Sequence, residues 1–557
     1  MLKKLIILVL SVFFSSFCIT ASIALAQKQN GPGGQDIGIP LTTFETDDFS
    51  GSGVCAHCHS KLYTATGEDV SIDAHWRSTM MANAAKDPLW LAKVKSEVVR
   101  NPALKDIIEE KCARCHMGMA RYQAETNGSD IGIFDEGFLN PDHPLHQAAM
   151  DGVSCALCHQ IQEENLGEES SFTGKYIIDT ASFPPHRKIF GPYENPAVKQ
   201  TLMENNSGFS PLYSGHFKES KLCSSCHTLF TPTVDSHGNV IPDKEFPEQM
   251  TYLEWKHSNF NTSCQGCHVP EDSVTTVISN RPKNLEKRTP FGLHHFVGGN
   301  SFMLELLKNN SADLGVTADT THLNNTIART ITLLGQKTAT ISSFASLAQN
   351  QLTLEITLKN LAGHKVPTGI PIRRLWLHVT VVNANNDVIF ESGKPLPDGR
   401  IVGNDADEDA TMYEPHYDFI TNSSQVQIYE AIMRNTDNEV TQTLLRAYSY
   451  AKDNRLLPAG FIKETADDDV AVWGNAKTDE DFTGGQDDIT YQIDVDNSEG
   501  PFVITTELLF QALSYPFIKD FQADDVKDEE LVVSFMGQYA NEDKVPVLVA
   551  MEEISVP

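Results

Sequence analysis

Ten of the eleven cysteines of this chain lie in five Cys-x-x-Cys-His motifs, and this pattern constrains the fold more than any other feature. The motif residues are Cys55, Cys58 and His59; Cys112, Cys115 and His116; Cys155, Cys158 and His159; Cys223, Cys226 and His227; and Cys264, Cys267 and His268. The spacing is the attachment signature of c-type haem, in which two thiols bind the porphyrin and the adjacent imidazole ligates the iron. The sequence therefore predicts five covalent haems c, with the five motif histidines as proximal ligands.

Zinc binding and redox-disulfide chemistry are the competing interpretations of paired cysteines. Neither requires a histidine after the second cysteine. Histidine makes up 19 of the 557 residues, so five chance matches in five motifs have a probability on the order of 10⁻⁷ or less. An odd number of motifs also fits a four-cysteine zinc site poorly. Haem attachment is the favoured interpretation.

The N-terminal sequence predicts export. Lys3 and Lys4 precede a mostly apolar run that ends in Ala24-Leu25-Ala26, which is typical of a signal peptide over residues 1–26. An uncleaved anchor helix is the alternative. Residues 27–45 are predicted to be a flexible lead-in. Because covalent haem attachment of this kind follows export, we expect a periplasmic, extracellular or cell-surface protein.

Net charge bears on the partners. The chain carries a formal charge of −31, which excludes nucleic acid as a natural partner and favours solubility. It also favours steering toward redox protein partners, either membrane-associated proteins or other cytochromes. A solvated acidic surface without such a role is the alternative. A homo-oligomer or filament is a further variant.

The distribution of residues predicts an α+β multidomain protein. Residues 46–305 carry all five motifs and are predicted to form a mostly α and irregular pentahaem cytochrome domain in which porphyrins supply much of the buried apolar surface. Residues 306–335 are predicted to be a helical connector, and residues 336–557, which lack cysteine, an all-β sandwich-like domain. Predicted helices are 87–110 and 301–308; predicted strands are 352–358, 375–382, 425–429, 489–495 and 531–535.

Distal ligands decide whether each haem is closed or open to a substrate. Fourteen histidines remain beyond the five proximal ones, so the supply is adequate for bis-histidine ligation. His146, His216 and His295 are the favoured distal ligands. His75 is a weaker candidate, with Met80 or Met81 as its rival. His143, His186, His257 and His294 rank lower, and a histidine that does not ligate iron would hydrogen-bond a propionate or a backbone carbonyl.

At these residues the first half resembles the secreted multihaem c-type cytochromes that include the tetrahaem cytochrome linked to hydroxylamine oxidation. The matching strings begin at Trp76, Asp151 and Thr251. The second half resembles a β domain that follows in such proteins, on strings that begin at Gly363 and Tyr413.

The resemblance implies an electron-transfer cytochrome with closely packed haems. It also implies a distal histidine after the first motif at the position that holds Met80 here, which leaves His75, Met80 and Met81 as alternatives. His364, in a tight Gly/Pro loop of the β half, either ligates a haem across the domain interface or braces its turn.

Two acidic loops, 405–409 and 467–469, are candidates for Ca²⁺ because they are rich in carboxylate oxygens. Neither has the spacing of a twelve-residue calcium loop, and solvated loops are the alternative.

Two classes of function remain. The favoured one is an extracytoplasmic electron carrier, which uses the haems themselves and needs no catalytic side chain. The alternative is a multihaem reductase or oxidase of small nitrogen or sulfur oxyanions, with one open haem. A docking role for the β half is compatible with the first.

Overall fold

We describe the protein from a computed structural model. It describes residues 39–194, 197–272, 276–282, 285–496 and 498–557, so the predicted signal peptide and most of the predicted lead-in lie outside the described residues. Helices and β-sheets are both present, as the α+β prediction requires. Residues Pro40–Pro557 form one compact unit. Within the part of the chain that the structure describes, no helix has the length and apolar character needed to cross a membrane.

The motif-bearing half is built from short helices. Their bounds are α1 Ser52–His59, α2 Ile72–Arg77, α3 Pro88–Arg100, α4 Lys105–His116, α5 Gly118–Asn127, α6 His146–Met150, α7 Cys155–Cys158, α8 Ala197–Ser207, α9 Lys221–Ser224, α10 Thr251–Lys256 and α11 Cys264–His268. Three small sheets lie among them: the parallel pair β1 Arg187–Gly191 and β2 Phe209–Tyr213, and the antiparallel pairs β3 Leu229–Val234 with β4 Val240–Gln249 and β5 Glu271–Asp272 with β6 Phe291–Gly292.

The single helix predicted over 87–110 is wrong, because the structure has two helices there. Helix α3 begins after Asp87, whose carboxylate accepts the backbone N–H groups of Leu89 and Trp90. It ends at Arg100, because Asn101 leaves the helical conformation and precedes Pro102. A proline disfavours helical geometry in the residue before it, so the chain breaks here and α4 starts anew at Lys105.

Two amphipathic helices, α12 Ser301–Asn309 and α13 Thr320–Lys337, lead from the motif half toward the main sheets. Side-chain caps start both of them: Asn300 accepts the backbone N–H of Met303, and Asp319 accepts that of His322. The predicted connector 306–335 thus falls on parts of two helices, with an irregular stretch between them.

Two larger sheets pack face to face over residues 339–556. The five-stranded sheet has the order β10 Val388–Ser392, β9 Arg374–Val382, β16 Phe502–Gln511 and β17 Val547–Val556, with β12 Ile428–Tyr429 also paired to β9. The four-stranded sheet has the order β11 Phe419–Ile420, β15 Gln486–Asp494, β8 Gln351–Asn360 and β7 Ala339–Ala348. A separate pair, β13 Ala431–Arg434 and β14 Ser449–Asp453, lies beside them.

Buried and exposed residues alternate along the strands, and this pattern explains how the two sheets pack. On β8, Leu352, Leu354 and Ile356 are buried while the residues between them point outward. Tyr491 of β15 is in register with Leu354, and Leu508 of β16 faces Leu377 of β9. The inward side chains of both sheets belong to one apolar cluster. Of the predicted strand 425–429, only β12 is a strand.

The predicted strand 531–535 is also wrong, because these residues lie in helix α16, Glu530–Asn541. Val532, Phe535 and Tyr539 are buried on one side of it, at spacings of three and four residues that suit a helix. Helix α16 packs against α3 of the motif half. Two short helices complete the β half: α14 Asp405–Glu408 and α15 Tyr515–Asp520.

The two halves share buried polar contacts. The Glu97 carboxylate of α3 accepts the backbone N–H of Leu444 at 2.7 Å and pairs with Lys93 at 2.9 Å. Lys93 also donates to the carbonyl of Gln442. Leu89 and Ala92 of α3 belong to the same apolar cluster as the two large sheets. The motif half and the sheets are therefore joined through α3.

Candidate functional site

Each motif lies on or beside a short helical turn. Helices α1 and α11 contain complete motifs, and α4 ends with one. In a helical turn the first cysteine, the second cysteine three residues later and the histidine four residues later share one face. The turn therefore presents two thiols and an imidazole to the same side.

Four of the five motif histidines have the same ring orientation, because Nδ1 lies beside a backbone carbonyl from another part of the chain. The pairs are His59 with Ile278 at 2.6 Å, His116 with Ala84 at 3.1 Å, His159 with Phe190 at 2.6 Å and His268 with Val297 at 2.7 Å. A carbonyl only accepts, so Nδ1 carries the proton and Nε2 keeps its lone pair. This is the tautomer that an iron ligand requires.

Burial keeps these rings neutral. It lowers the pKa of His116 and of His227 to about 4, and that of His59, His159 and His268 below the usual value. A neutral imidazole is the form that binds metal, so protonation does not compete with ligation near neutral pH. Trp90 adds rigidity to one site, since its ring stacks on His116 at 4.4 Å with the planes 3° apart.

The structure brings the five motifs into contact with one another. The Cys55 thiol lies close enough to Cys155 to raise the pKa of Cys155. The contact between Cys115 and Cys226 lowers the pKa of Cys115 and raises that of Cys226. A further contact joins Cys264 to Cys223 and lowers the pKa of Cys264 to about 7. All ten motif cysteines are free of disulfides.

These contacts define a branched order. The first motif touches the third, and the fourth touches both the second and the fifth. Cys158 of the third motif lies close enough to Cys223 and Cys226 of the fourth to affect their titration. The fourth motif is therefore the branch point, with the second, third and fifth motifs next to it. Paired thiols and a neighbouring imidazole with a fixed Nδ1 proton fit a covalently attached haem c.

The favoured distal candidates differ in their surroundings. His146 has the same orientation as the motif histidines, because its Nδ1 donates to the carbonyl of Phe138 at 2.8 Å. His216 uses both ring nitrogens: Nε2 donates to the Ile161 carbonyl at 3.0 Å, and Nδ1 accepts from the Ser214 hydroxyl at 2.6 Å. Ligation through its Nε2 would require His216 to release Ile161.

The remaining candidates lie near the first motif helix and α13. His75 and His295 are in ring contact, with centroids 4.6 Å apart. Arg329 approaches Nε2 of His75 at 3.4 Å, and burial followed by this positive charge lowers the pKa of His75 to about 2. The side chain of Met80 packs in an apolar cluster with Leu307 and its neighbours.

Two further histidines have the Nδ1–carbonyl contact and an Nε2 with no hydrogen-bond partner among the described residues, and neither was among the favoured candidates. His294 donates from Nδ1 to the Gly292 carbonyl at 3.1 Å, and its ring centroid is 6.4 Å from that of His159. His364 donates from Nδ1 to the Lys365 carbonyl at 2.8 Å, and burial lowers its pKa. His364 lies close enough to His227 to affect its titration. Of these two histidines, only His364 had a local sequence signal, namely its position in a tight Gly/Pro loop.

The acidic loops considered for Ca²⁺ use several carboxylates in protein contacts. Asp407 forms a buried two-point pair with Arg374, at 2.7 and 3.0 Å. Asp467 lies 3.2 Å from Nε2 of His257.

Comparison with known proteins adds little to this geometry. No family model matches the chain, and no curated protein matches it. A crystal structure of a penta-heme cytochrome c552 from Thermochromatium tepidum is similar, with a TM-score of 0.48 and 13% identity over 91% of this chain and 98% of that chain. That TM-score is too low to support a conclusion about either function or individual residues.

Proposed function

We propose that this protein is an extracytoplasmic electron carrier with five haems c attached at its five motifs. The observation that carries the proposal is the contact of every motif with at least one other, through Cys55–Cys155, Cys115–Cys226 and Cys223–Cys264. Cofactors attached at touching motifs would lie close enough together to exchange electrons. Motifs scattered over the surface would not support such a chain.

The residues that would hold the haems follow from the ring orientations. The ten motif cysteines would form the covalent bonds, and His59, His116, His159, His227 and His268 would be the proximal ligands. His146, His294 and His364 have the Nδ1–carbonyl contact that leaves Nε2 free, and we assign them as distal ligands. His75 and His295, which are in ring contact, remain candidates for the other distal positions, and ligation through Nε2 of His75 would require Arg329 to move.

Each bound haem would supply one-electron oxidation and reduction at its iron. The protein's own part is to fix the imidazoles, keep them neutral and exclude water around them. The branch at the fourth motif gives three outer motifs, the first, the second and the fifth. Electrons received at one outer motif would then leave at another.

The acidic charge of −31 favours partners with a basic docking surface. Redox proteins at the membrane or other cytochromes are such partners, and a homo-oligomer or filament of this chain is a variant of the same proposal. The location rests on residues 1–26. Fused to alkaline phosphatase, these residues should direct the enzyme out of the cytoplasm, and a cytoplasmic fusion would refute this location.

The central test is a count of haems and of spin states. The full chain, made in a host with the haem c maturation machinery, should gain the mass of five haems. Electron paramagnetic resonance of the ferric protein should show mainly low-spin haem, because histidines are available for both axial positions. Redox titration should be reversible at every haem.

A variant that lacks one motif serves as the control for the haem count. Cys264→Ala with Cys267→Ala should lose one haem and keep four, since the fifth motif is an outer one. Fewer than five haems in the fully matured wild-type chain would refute the count. A dominant high-spin signal, together with turnover of nitrite or hydroxylamine, would instead favour the reductase or oxidase.

A further inference from the structure

A cluster of carboxylates lies at one end of the four-stranded sheet, away from the haem motifs in sequence. It consists of two groups that share Asp479: His416, Asp479 and Asp487, and Asp418, Asp479 and Asp481. Within each group one ligand atom per residue lies within 4.8 Å of the others. The two acidic loops considered from the sequence contribute to neither group.

His416 holds one carboxylate of this cluster in place. Its Nδ1 accepts from the amide NH₂ groups of Gln427 at 2.9 Å and Asn454 at 3.0 Å. The oxygen ends of both amides accept backbone N–H groups, so their amino ends must face the ring. Nε2 therefore carries the imidazole proton and donates to Asp479 at 3.0 Å. His416 orients Asp479 and has no lone pair left for a metal.

Asp487 supplies the observation that points to a ligand. Its residue is 0% exposed. Oδ2 accepts from the Tyr429 hydroxyl at 2.5 Å and from Gln427 at 3.3 Å. Oδ1, in contrast, is buried without a hydrogen-bond partner in the described part of the chain. It lies 3.8 Å from Nε2 of His416, the atom that donates to Asp479, so it faces into the cluster.

Neighbouring cations do not neutralise these carboxylates. Among the described residues, no lysine or arginine forms a salt bridge with Asp418, Asp479, Asp481 or Asp487. Lys463 is close, but its ammonium donates to the backbone carbonyls of Ala476 and Asp479. A buried carboxylate oxygen without a partner is costly, and adjacent carboxylates repel one another. A bound cation would remove both costs.

We propose that Asp479 and Asp487, with Asp418 and Asp481 at the rim beside Asp479, bind one Ca²⁺. The donors are oxygens only, because His416 uses its Nε2 proton on Asp479, and hard oxygen donors suit Ca²⁺ rather than Zn²⁺. The ion would join β15, the loop that precedes it and the segment that leads into β11. This site is independent of the proposed electron transfer.

The test uses the holoprotein, stripped with EGTA and titrated with CaCl₂ in a calorimeter. One Ca²⁺ should bind per chain, and the unfolding temperature should rise and saturate with Ca²⁺, because the ion binds the folded state. Asp479→Asn and Asp487→Asn should abolish binding, and His416→Gln should weaken it by roughly 10- to 100-fold, as expected for a residue that orients a ligand. Asp468→Asn, in an exposed acidic loop, should bind as the wild type does.

The variants of the buried aspartates could lose Ca²⁺ binding simply because they fail to fold. Asp481→Asn is therefore a second test, since Asp481 is only partly buried and its replacement should leave the fold intact. Without Ca²⁺ it should unfold at the wild-type temperature or above it, because one repulsive charge is gone. With Ca²⁺ it should gain less than the wild type does. Wild-type protein that binds no Ca²⁺ at millimolar concentration, Asp479→Asn protein that binds normally, or tight Zn²⁺ binding without Ca²⁺ binding would each overturn the proposal.

Discussion

The motif half and the two-sheet half form their cores from different side chains. The main cluster of the motif half is rich in small residues, including Ala113, Ala120, Ala124 and Ala149. The sheets instead bury large aliphatic and aromatic residues on alternating positions. Because stabilisation scales with the apolar area buried, at about 25 cal/mol per Å², the sheets can hold a core with amino acids alone. Under the proposed function, the motif half would depend much more on the apolar surface of its haems.

The largest expected effect is therefore on folding without haem. A fragment of residues 300–557, which keeps α12 and α13, should fold cooperatively and be rich in β structure by circular dichroism. A fragment of residues 40–299, made without haem maturation, should not. The reason is the difference in side-chain core between the halves.

The fragment boundary sharpens this test. A start at residue 336 would cut helix α13, whose Leu334 packs into the sheet cluster. The 336–557 fragment should therefore be less stable to urea than the 300–557 fragment. Equal stability of the two, or a folded haem-free 40–299 fragment, would contradict the comparison.

The second prediction concerns the contact between the halves. Glu97→Ala would leave Lys93 buried without its close partner and the Leu444 N–H without an acceptor. Breaking a buried charge pair typically costs about 3–5 kcal/mol, and we expect a loss of that order in urea unfolding of the holoprotein. Lys95→Ala is the control, because its pair with Glu529 is partly exposed and should contribute about 1 kcal/mol or less. Similar losses for the two variants would show that the buried Glu97 contacts contribute no more than a partly exposed ion pair.

The third prediction concerns a single haem. His364→Ala should convert one low-spin haem to high-spin in the ferric protein, because this histidine of the β half has its Nε2 free and lies near His227. The matched control is His378→Ala, whose ring lies between Glu507 and Glu391 on the sheet. An unchanged spectrum of the His364 variant would leave that residue as a brace for its own turn.

The smallest expected effect is a difference in acid sensitivity. Burial lowers the pKa of His116 from 6.5 to about 4, so its contribution to stability is complete above pH 6.5 and is lost as the pH falls toward 4. Bonding to iron would lower the pKa of His116 further, so the loss would begin at a lower pH. In the sheet half, Arg455 and Lys365 hold the pKa of Asp453 at about 2, so its contribution is lost only between pH 3.8 and 2.

Acid should therefore disturb the haem spectra before it disturbs the far-ultraviolet signal of the sheets. The measurement is a parallel titration of the holoprotein from pH 7 to 2 by visible absorption and circular dichroism. Coincident transitions would show that the two halves unfold as one unit in acid.

Local patterns in the sequence predicted the features that depend on neighbouring residues. The Cys-x-x-Cys-His spacing fixes which side chains share a helical turn, and alternation in Leu352–Leu358 is enough to predict strand β8. Residues 531–535 were predicted wrongly because a short apolar run suits either a strand or a helix. In the folded chain this segment packs against α3 as a helix.

The sequence by itself therefore determined the number of Cys-x-x-Cys-His motifs, the histidines that they contain and the alternating strands of the second half. Only the tertiary structure decided which motifs touch, which further histidines leave Nε2 free, and that Asp479 and Asp487 converge beside His416. The physical reason is range. A helical turn or a strand is set by residues a few positions apart, whereas a ring orientation or a cation site depends on groups that only the folded chain brings together.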